Sequence, residues 1–590
     1  MKELQLYNEW VTNAVEDSDV IDELRKISGN NDEIYERFYR ELEFGTGGIR
    51  GIIGAGITRM NIYTIRKTTA GLAITLNEKA TSVCEGQSPN EEPPIESCDH
   101  LSVAISYDSR NKSYLFAKEA AKTLAAYNIK SYLFPELMPT PVLSFAVRSL
   151  KCAAGIMVTA SHNPAKYNGY KCYGADGCQM TDNDANRVLA NINKLDIFKD
   201  VNVTDFDQAL KNGLIEYVDN KLIDDFYTNV IKQSINPDVI AKTDLKAVYT
   251  PLNGAGNVPV RTVLERMGLK NINIVAEQEK PDPNFTTCPF PNPEITEALA
   301  LGLRDCKKLG ADLLLATDPD CDRVGIAVKY DNNDYKLITG NEVGALLLNY
   351  ICEQRTKAGT MPKNPLTVKT IVTTNLVEKI AQQYNVEMLN VLTGFKYIGE
   401  KIGQLEEKGE EERYIFGFEE SYGYLAGTHA RDKDAVVAAM LITEMAAFYH
   451  QNAISLYQKL QELYKKHGYY LHTQSNFVCE GASGMQKMAE LMAQLRNSPP
   501  ESIGGLKVIY RADYKKRVWE DISTGKSGDL TLPKSDVLVY KLENNCEVVI
   551  RPSGTEPKIK AYYTALATSH DIASEIENKI KTDFTKILGV

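Results

Sequence analysis

Ser161 stands in Val158-Thr159-Ala160-Ser161-His162-Asn163-Pro164, directly after the apolar run 153–158. An apolar run of that length reads as a buried strand, and Asn163-Pro164 stops regular structure. A nucleophile-capable hydroxyl therefore sits at a strand's end, on a loop that a rigid sheet can hold in place. Taken alone, the stretch is equally an Asn-Pro turn whose serine bonds its own backbone.

A second apolar run, 311–316, feeds Thr317-Asp318-Pro319-Asp320-Cys321-Asp322-Arg323, and the chain resumes as a strand over 324–328. Side chains alternate along an extended chain, so the three carboxylates project to one side. Held that close they repel and need a counter-ion. An oxygen-only ligand set favours a hard divalent cation, Mg²⁺ first. An EF-hand would need Gly where Arg323 stands and Glu where Lys329 stands. A haloacid-dehalogenase-type phosphatase would want Thr or Val in place of Asp322. A solvated acidic turn would not be bracketed by two apolar strands.

Three more loops carry chemistry. The run 414–418 stops at Glu419-Glu420-Ser421-Tyr422-Gly423. The glycine-rich Glu43-Phe44-Gly45-Thr46-Gly47-Gly48-Ile49-Arg50-Gly51 misses a dinucleotide fingerprint, because Arg50 stands where the last Gly belongs. It is either a mobile turn or a backbone that approaches an anion, with Arg50 as a fork donor. Arg551-Pro552-Ser553-Gly554-Thr555-Glu556-Pro557-Lys558 offers an arginine, two hydroxyls and a glycine amide, a receptor suited to phosphate. Gly525-Lys526-Ser527 is not a P-loop, since Glu520 stands where its first Gly belongs.

The elements that must position these loops follow from periodicity. The first forty residues are helical, with Tyr7, Trp10, Val11, Ala14 and Val15 on one face. Residues 81–100 read as a solvated surface insertion. A strand at 101–106, a helix at 116–127 and a strand at 130–134 set a βαβ rhythm that favours a mostly parallel sheet. Strand-then-loop recurs near 311 and 414, one plan used three times without a strong sequence repeat. From 465 on, strands at 536–542 and 547–550 alternate with helical stretches, and 572–587 closes with helical period. The expected domains are 1–210 with the serine loop, 211–335 with the aspartate loop, 336–464 with the 419–423 loop, and an α+β domain 465–590 with the 551–558 loop.

Composition bounds the function. The 590 residues carry a net charge of −11, with 43% hydrophobic and 25% charged residues, values of an ordinary soluble globular protein. That charge argues against nucleic acid, which demands a basic face, so a phosphate ligand would need a focused basic patch. No apolar run reaches the ~18 residues of a membrane span. The stretch 435–449 carries Glu444 and reads as a core helix. The N-terminus has no signal-peptide core. Eleven scattered cysteines without a CxxC pair imply reduced thiols and a cytoplasmic protein.

Together, in this order and in separate segments, the loops resemble the α-D-phosphohexomutase superfamily over nearly the whole chain. Through Glu43 to Arg50, Gly417 to Gly423 and Arg551 to Lys560 the sequence is similar to the phosphoglucomutase/phosphopentomutase branch. The resemblance implies three similar α/β domains with mixed, mostly parallel sheets, plus a C-terminal α+β domain, around a central cleft. It implies that Ser161 carries a phosphoryl group, and that Asp318, Asp320 and Asp322 hold Mg²⁺ with the serine phosphate as a further ligand. Arg323 and Arg50 would lie by the transferring phosphate, and Lys171 would be the general base or acid. Glu419 and Ser421 would read sugar hydroxyls, helped by Thr393 and Lys433. Arg551, Ser553, Gly554 and Thr555 would hold the non-reacting phosphate. His429 would be a proton carrier or merely a cleft residue.

The implied reaction interconverts glucose 1-phosphate and glucose 6-phosphate through glucose 1,6-bisphosphate, which turns around and returns its other phosphate to Ser161. Ribose, deoxyribose and mannose phosphates are the alternative substrates within the superfamily. A metal-dependent sugar phosphatase is the rival outside it, but hydrolysis has no use for a second phosphate cradle at 551–555. A non-catalytic sugar-phosphate sensor would not need Ser161 and three aspartates. The implied partners are small sugar phosphates, not nucleic acid or membrane, bound by a monomer or weak homo-oligomer.

Overall fold

The computed structural model describes residues 2–45, 47–84, 101–331, 334–478, 484–552 and 558–589. Its contacts divide the chain into two compact units. One is Met1–Leu337 with Ile398–Tyr414 and Gly423–Gln451; the other is Ile338–Tyr397 with Ile415–Tyr422 and Asn452–Val590.

In the first unit, strands β1 (Gly48–Ile52), β2 (Ser102–Tyr107), β3 (Lys130–Leu133), β4 (Ala154–Val158), β5 (Tyr167–Gly174) and β6 (Ile215–Tyr217) form a sheet ordered β1-β5-β4-β2-β3-β6. The β4-β2-β3-β6 part is parallel, while β1-β5-β4 is antiparallel. Every residue of β4 is buried, as suits an inner strand covered by helices. A second sheet joins β7 (Ala247–Thr250), β8 (Ile272–Ile274), β9 (Leu313–Thr317), β10 (Val324–Asp331) and β11 (Asp334–Ile338) in the order β11-β10-β9-β7-β8. Here β9-β7-β8 is parallel and β10 turns back antiparallel on β9.

The two sheets share one device. A parallel strand, β4 or β9, ends at a polar loop, and the chain returns antiparallel as β5 or β10. The return strand β5 is not among the elements that periodicity marks, and Asn168 and Gly169 are turn-forming residue types. Tertiary contacts override those turn residues. Asn168 is fully buried and donates to the Asn111 carbonyl at 2.9 Å and to Ser113 Oγ at 3.0 Å.

Three helices, Lys2–Asn13, Ser18–Lys26 and Asn31–Phe38, open the chain. Tyr7, Trp10 and Ala14 are buried as the period predicts, but Val11 and Val15 are exposed. The buried stripe is narrower than expected: Trp10 lies edge-on to Phe38, Tyr63 and Phe198, and Tyr7 edge-on to Phe38. Helix Ala435–Gln451 is a core helix, and its buried Glu444 accepts the N–H groups of Ile235 and Asn236 at 3.1 and 3.0 Å. That pairing makes a buried carboxylate tolerable. None of the described helices is long and apolar enough to cross a membrane. Eight of the cysteines are free and buried.

In the second unit, β12 (Leu366–Thr370) lies between β13 (Glu387–Val391), to which it is parallel, and β14 (Tyr414–Glu419). The chain then passes through β15 (Gly423–Leu425). The C-terminal sheet holds β16 (Tyr469–Val478), β17 (Ser502–Ile503), β18 (Leu506–Asp513), β19 (Val518–Asp521), β20 (Lys526–Asp529), β21 (Leu538–Leu542), β22 (Glu547–Pro552) and β23 (Lys558–Ala567). Its pairings are antiparallel, in the order β16-β23-β22-β21-β18-β19-β20 with β17 on β18. Helices Gly484–Asn497 and His570–Leu588 pack on it, completing the expected α+β arrangement. Lys526 and Ser527 lie on β20, in a hairpin and not in a phosphate-binding turn. Val372 and Leu392 share a core cluster with Val539, Val549 and Tyr562, which ties this sheet to the strands before it.

Of the glycine-rich stretch, residues 48–51 lie on β1. Gly48 pairs with Lys171 across β1 and β5, and a Cβ at Gly48 would lie 2.2 Å from the Tyr170 carbonyl oxygen. Glycine here permits close strand approach. Gly48→Ala should cost about 1–3 kcal/mol of stability, read as a lower Tm by scanning calorimetry. Gly45→Ala, with no atom within 4 Å of the added Cβ, should leave Tm unchanged.

Candidate active site

Ser161 follows β4 with φ 52°, a left-handed conformation uncommon outside glycine. Its N–H donates to Thr159 Oγ1 at 2.8 Å, and its carbonyl accepts from the Arg110 guanidinium. Arg110 also donates to the carbonyls of Asn163, of Pro164 at 3.0 Å and of Tyr167 at 3.2 Å. One guanidinium thus ties down the loop's whole circuit. Arg110 itself is fully buried, paired with Asp108 at 3.2 Å and stacked 5.0 Å over Phe285. Asp108 in turn accepts from Thr159 Oγ1 at 2.6 Å and Ser113 Oγ at 2.7 Å. Sequence reasoning missed Asp108 and Arg110. The available signal was a charged pair at the end of β2, the strand that pairs with β4.

The Ser161 hydroxyl donates to Asp318 Oδ2 at 2.8 Å and lies 3.2 Å from His162 Nδ1. Burial, then the charges of Arg323 and Arg50, push the His162 imidazole well below its ordinary pKa.

Asp318, Asp320 and Asp322 are buried, and their ligand oxygens lie within 4.8 Å of one another. Asp318 Oδ1 accepts the N–H groups of Asp322 at 3.1 Å and Arg323 at 3.0 Å. Asp320 Oδ2 accepts from Lys171 Nζ at 2.8 Å and Thr140 Oγ1 at 3.2 Å. Asp322 Oδ2 pairs with Lys433 Nζ at 3.0 Å and more loosely with Lys171 at 3.7 Å. The remaining oxygens, Asp320 Oδ1 and Asp322 Oδ1, are buried with no hydrogen-bond partner. Burial and the neighbouring Asp320 and Asp322 push the Asp318 carboxyl well up; burial would raise Asp320 too, but Lys171 holds it below the usual range. Unpaired buried carboxylate oxygens are costly, and an all-oxygen set suits a hard divalent cation. The residues therefore fit a metal.

The aspartate loop rests on a turn that sequence reasoning also missed. The N–H of Ala255 donates to the Pro319 carbonyl at 2.8 Å, and a Cβ at Gly254 would meet Pro319 Cα at 2.5 Å. Only glycine lets the two backbones approach this closely.

Of the other expected residues, Lys171 lies on β5, and Arg323 leaves the aspartate loop to donate to Glu294. Arg50 is an exposed residue of β1 whose guanidinium reaches Asn163 Oδ1 at 3.4 Å, beside the serine loop. Lys433 joins the aspartates. His429 is buried beside Phe226 and pairs through Nε2 with Asp434 at 2.8 Å. Asp434 accepts the N–H groups of Val436 and Val437, capping helix Ala435–Gln451, so His429 braces a helix start.

The second unit assembles a different set. Glu419, buried at the end of β14, accepts the Gly394 N–H at 2.8 Å. The adjacent Thr393 Oγ1 is buried without a partner. Ser421 is half-buried in the following turn. Arg551 ends β22, donates to Tyr562 OH at 3.0 Å, and feels the charges of Glu420 and Glu419. A carboxylate, an orphan hydroxyl and an arginine are therefore held in one unit. Ser553, Gly554 and Thr555 lie outside the described residues.

A buried serine hydroxyl aimed at a carboxylate cluster that could hold a metal ion, flanked by lysines and arginines, is an arrangement suited to group transfer on anionic substrates. Family models described as phosphoglucomutase/phosphomannomutase α/β/α domains I, II and III match residues 95–197, 225–331 and 339–467. A phosphoglucomutase of Staphylococcus saprophyticus is 36% identical over 523 residues, 89% of this chain and 90% of that protein. One from Staphylococcus epidermidis is 36% identical over 96% of this chain and 98% of its own length. Among solved structures, the phosphoglucomutase parafusin of Paramecium aligns with TM-score 0.67 at 16% identity, covering 93% of this chain and 96% of that one. A phosphoglucomutase/phosphomannomutase family protein of Burkholderia thailandensis aligns with TM-score 0.64 at 17% identity, covering 92% and 97%. The chain belongs to the phosphoglucomutase/phosphomannomutase family. It is a phosphohexomutase, an isomerase-class phosphotransferase.

Arg110→Lys keeps the charge but loses the fork that reaches four carbonyls. Losing charge-assisted bonds worth ~1.5–3 kcal/mol should lower kcat roughly 10- to 150-fold with KM little changed, measured by steady-state kinetics. Asp320→Asn should retain the fold by circular dichroism and raise the Mg²⁺ concentration needed for half-maximal activity. A chelator should abolish wild-type activity, and added Mg²⁺ should restore it.

Proposed function

We propose that this chain interconverts glucose 1-phosphate and glucose 6-phosphate, with Ser161 as phosphoryl carrier and glucose 1,6-bisphosphate as intermediate. The observation that carries this reading is the Ser161 hydroxyl 2.8 Å from Asp318, inside a cluster with two carboxylate oxygens that accept no hydrogen bond. The identity to curated phosphoglucomutases supports the choice of glucose.

In the forward half-reaction a sugar hydroxyl oxygen forms a bond to phosphorus on phosphorylated Ser161. The bond from phosphorus to Oγ breaks, Oγ leaves with the electron pair, and the sugar's proton is passed on. Lys171 is the acid or base for that proton. Arg323 and Arg50 offset charge on the transferring group. The chain's work is mostly positioning and charge neutralisation, as phosphoryl transfer requires. Mg²⁺ held by Asp318, Asp320 and Asp322 would add positive charge at the phosphoryl oxygens.

Glu419 and Thr393 offer an acceptor and a hydroxyl to the sugar ring, with Ser421 beside them. A carboxylate repels phosphate and can accept from two adjacent hydroxyls, so Glu419 suits a sugar. Arg551, with Ser553, Gly554 and Thr555, takes the phosphate that does not react. After the bisphosphate turns around, the same two sets serve the reverse half-reaction.

The test is a substrate panel at saturating Mg²⁺ with the matching bisphosphate present. Glucose 1-phosphate should give glucose 6-phosphate without inorganic phosphate, at a higher kcat/KM than mannose or ribose 1-phosphate. Stoichiometric phosphate release would make the chain a phosphatase, and a preference for ribose 1-phosphate would make it a pentomutase. Ser161→Ala should abolish turnover and remove the one-phosphate heavier species from the intact-mass spectrum.

A further inference from the structure

Lys433 does not reach Asp322 alone. Its ammonium lies 3.0 Å from Asp322 Oδ2 and 3.0 Å from Asp432 Oδ1, so two carboxylates share it. The other oxygen of Asp432 accepts from Tyr173 OH at 2.8 Å, and both residues are buried. The Asp432 carboxylate is thus fixed at one end by Tyr173 and holds the ammonium at the other. Tyr173 lies two residues after Lys171 on β5, and alternate residues of a strand share a face. One strand therefore governs both ammoniums at the aspartates: Lys171 directly on Asp320, and Lys433 through Tyr173 and Asp432.

The segment carrying Asp432 is itself anchored. The Arg431 N–H donates to Ser144 Oγ at 2.8 Å, and the fully buried Arg431 guanidinium pairs with Glu406 at 2.6 Å. Asp434 caps the next helix. Asp432 has little freedom to move off Lys433.

Sharing matters because an ammonium and a divalent cation compete for the same carboxylate. Resting on the reading of the three aspartates as a cation site, we propose that Tyr173 and Asp432 are positioning residues that draw the Lys433 ammonium off Asp322 Oδ2 and leave more of that carboxylate's charge to the cation, while Asp322 Oδ1 lies 3.8 Å from Arg323 Nε and accepts no hydrogen bond. Without the Asp432 charge, Lys433 leans more on Asp322 and competes with the metal. Lys433 is the intermediary, so the effect of Asp432 depends on its presence.

The experiment is a double-mutant cycle read by Mn²⁺ binding, using electron paramagnetic resonance of the free ion with no sugar phosphate present. Asp432→Asn should weaken Mn²⁺ binding roughly 5- to 30-fold in the wild-type background, the size of coupling expected between contacting residues. In the Lys433→Met background the same change should alter binding by less than about twofold. Tyr173→Phe, which removes only the hydroxyl, should give a smaller loss that also vanishes with Lys433→Met. It serves as the second probe if Asp432→Asn fails to fold.

An equal loss in both backgrounds would mean a plain field effect and overturn the proposal. Unchanged binding in the single variants would overturn it too, as would a wild type that binds no Mn²⁺. Because the readout needs no turnover, a chain that bound Mn²⁺ as expected but failed the substrate panel would refute the glucose reading and leave this role standing.

Discussion

Three carboxylates buried within 4.8 Å of one another are the constraint on which this site depends. At an effective dielectric near 20, each like-charged pair at that spacing costs at least about 3 kcal/mol. The loop cannot hold that arrangement by itself. Lys171 comes from β5, Lys433 from the segment before helix Ala435–Gln451, and the Ser161 hydroxyl from the β4–β5 loop. Ser161 donates to Asp318, Lys171 pairs with Asp320 and more loosely with Asp322, and Lys433 pairs with Asp322. The oxygens left over are those a cation would take.

That division of labour explains why unrelated parts of the first unit are built so tightly. The serine loop carries a left-handed residue, and Arg110 restrains it through four carbonyls. The aspartate loop carries another at Cys321 and rests against Gly254 and Ala255. Strained backbone of this kind persists only where its surroundings over-determine it. Here the surroundings are the loops that follow β2 and β7: the buried Arg110 guanidinium on one side, and the backbone of Gly254 and Ala255 on the other.

The second unit assembles its own polar set by other means. Glu419 and the orphan Thr393 hydroxyl sit at the end of the β12–β14 strands, and Arg551 comes from the C-terminal sheet. An apolar seam through Val372, Leu392, Val539, Val549 and Tyr562 holds those two parts together. An acceptor for hydroxyls beside a donor for phosphate suits a ligand that offers both groups.

Strand-and-loop punctuation in the sequence alone located Ser161, the three aspartates, the Glu419 loop and Arg551, because apolar runs ending in polar loops are local patterns. The same patterns marked the core helix at 435 and the α+β character of the C-terminal segment. Tertiary structure decided what local pattern cannot encode. It made Tyr167–Gly174 a strand by burying Asn168, and spent Gly48 on strand contact. It moved Lys433 to the aspartates and gave His429 to a helix cap. It tied Asp108 to Thr159, Arg110 to Tyr167 and Arg323 to Glu294 across 51, 57 and 29 residues of chain. Such partners are chosen by strand order and packing. No window of neighbouring residues contains them.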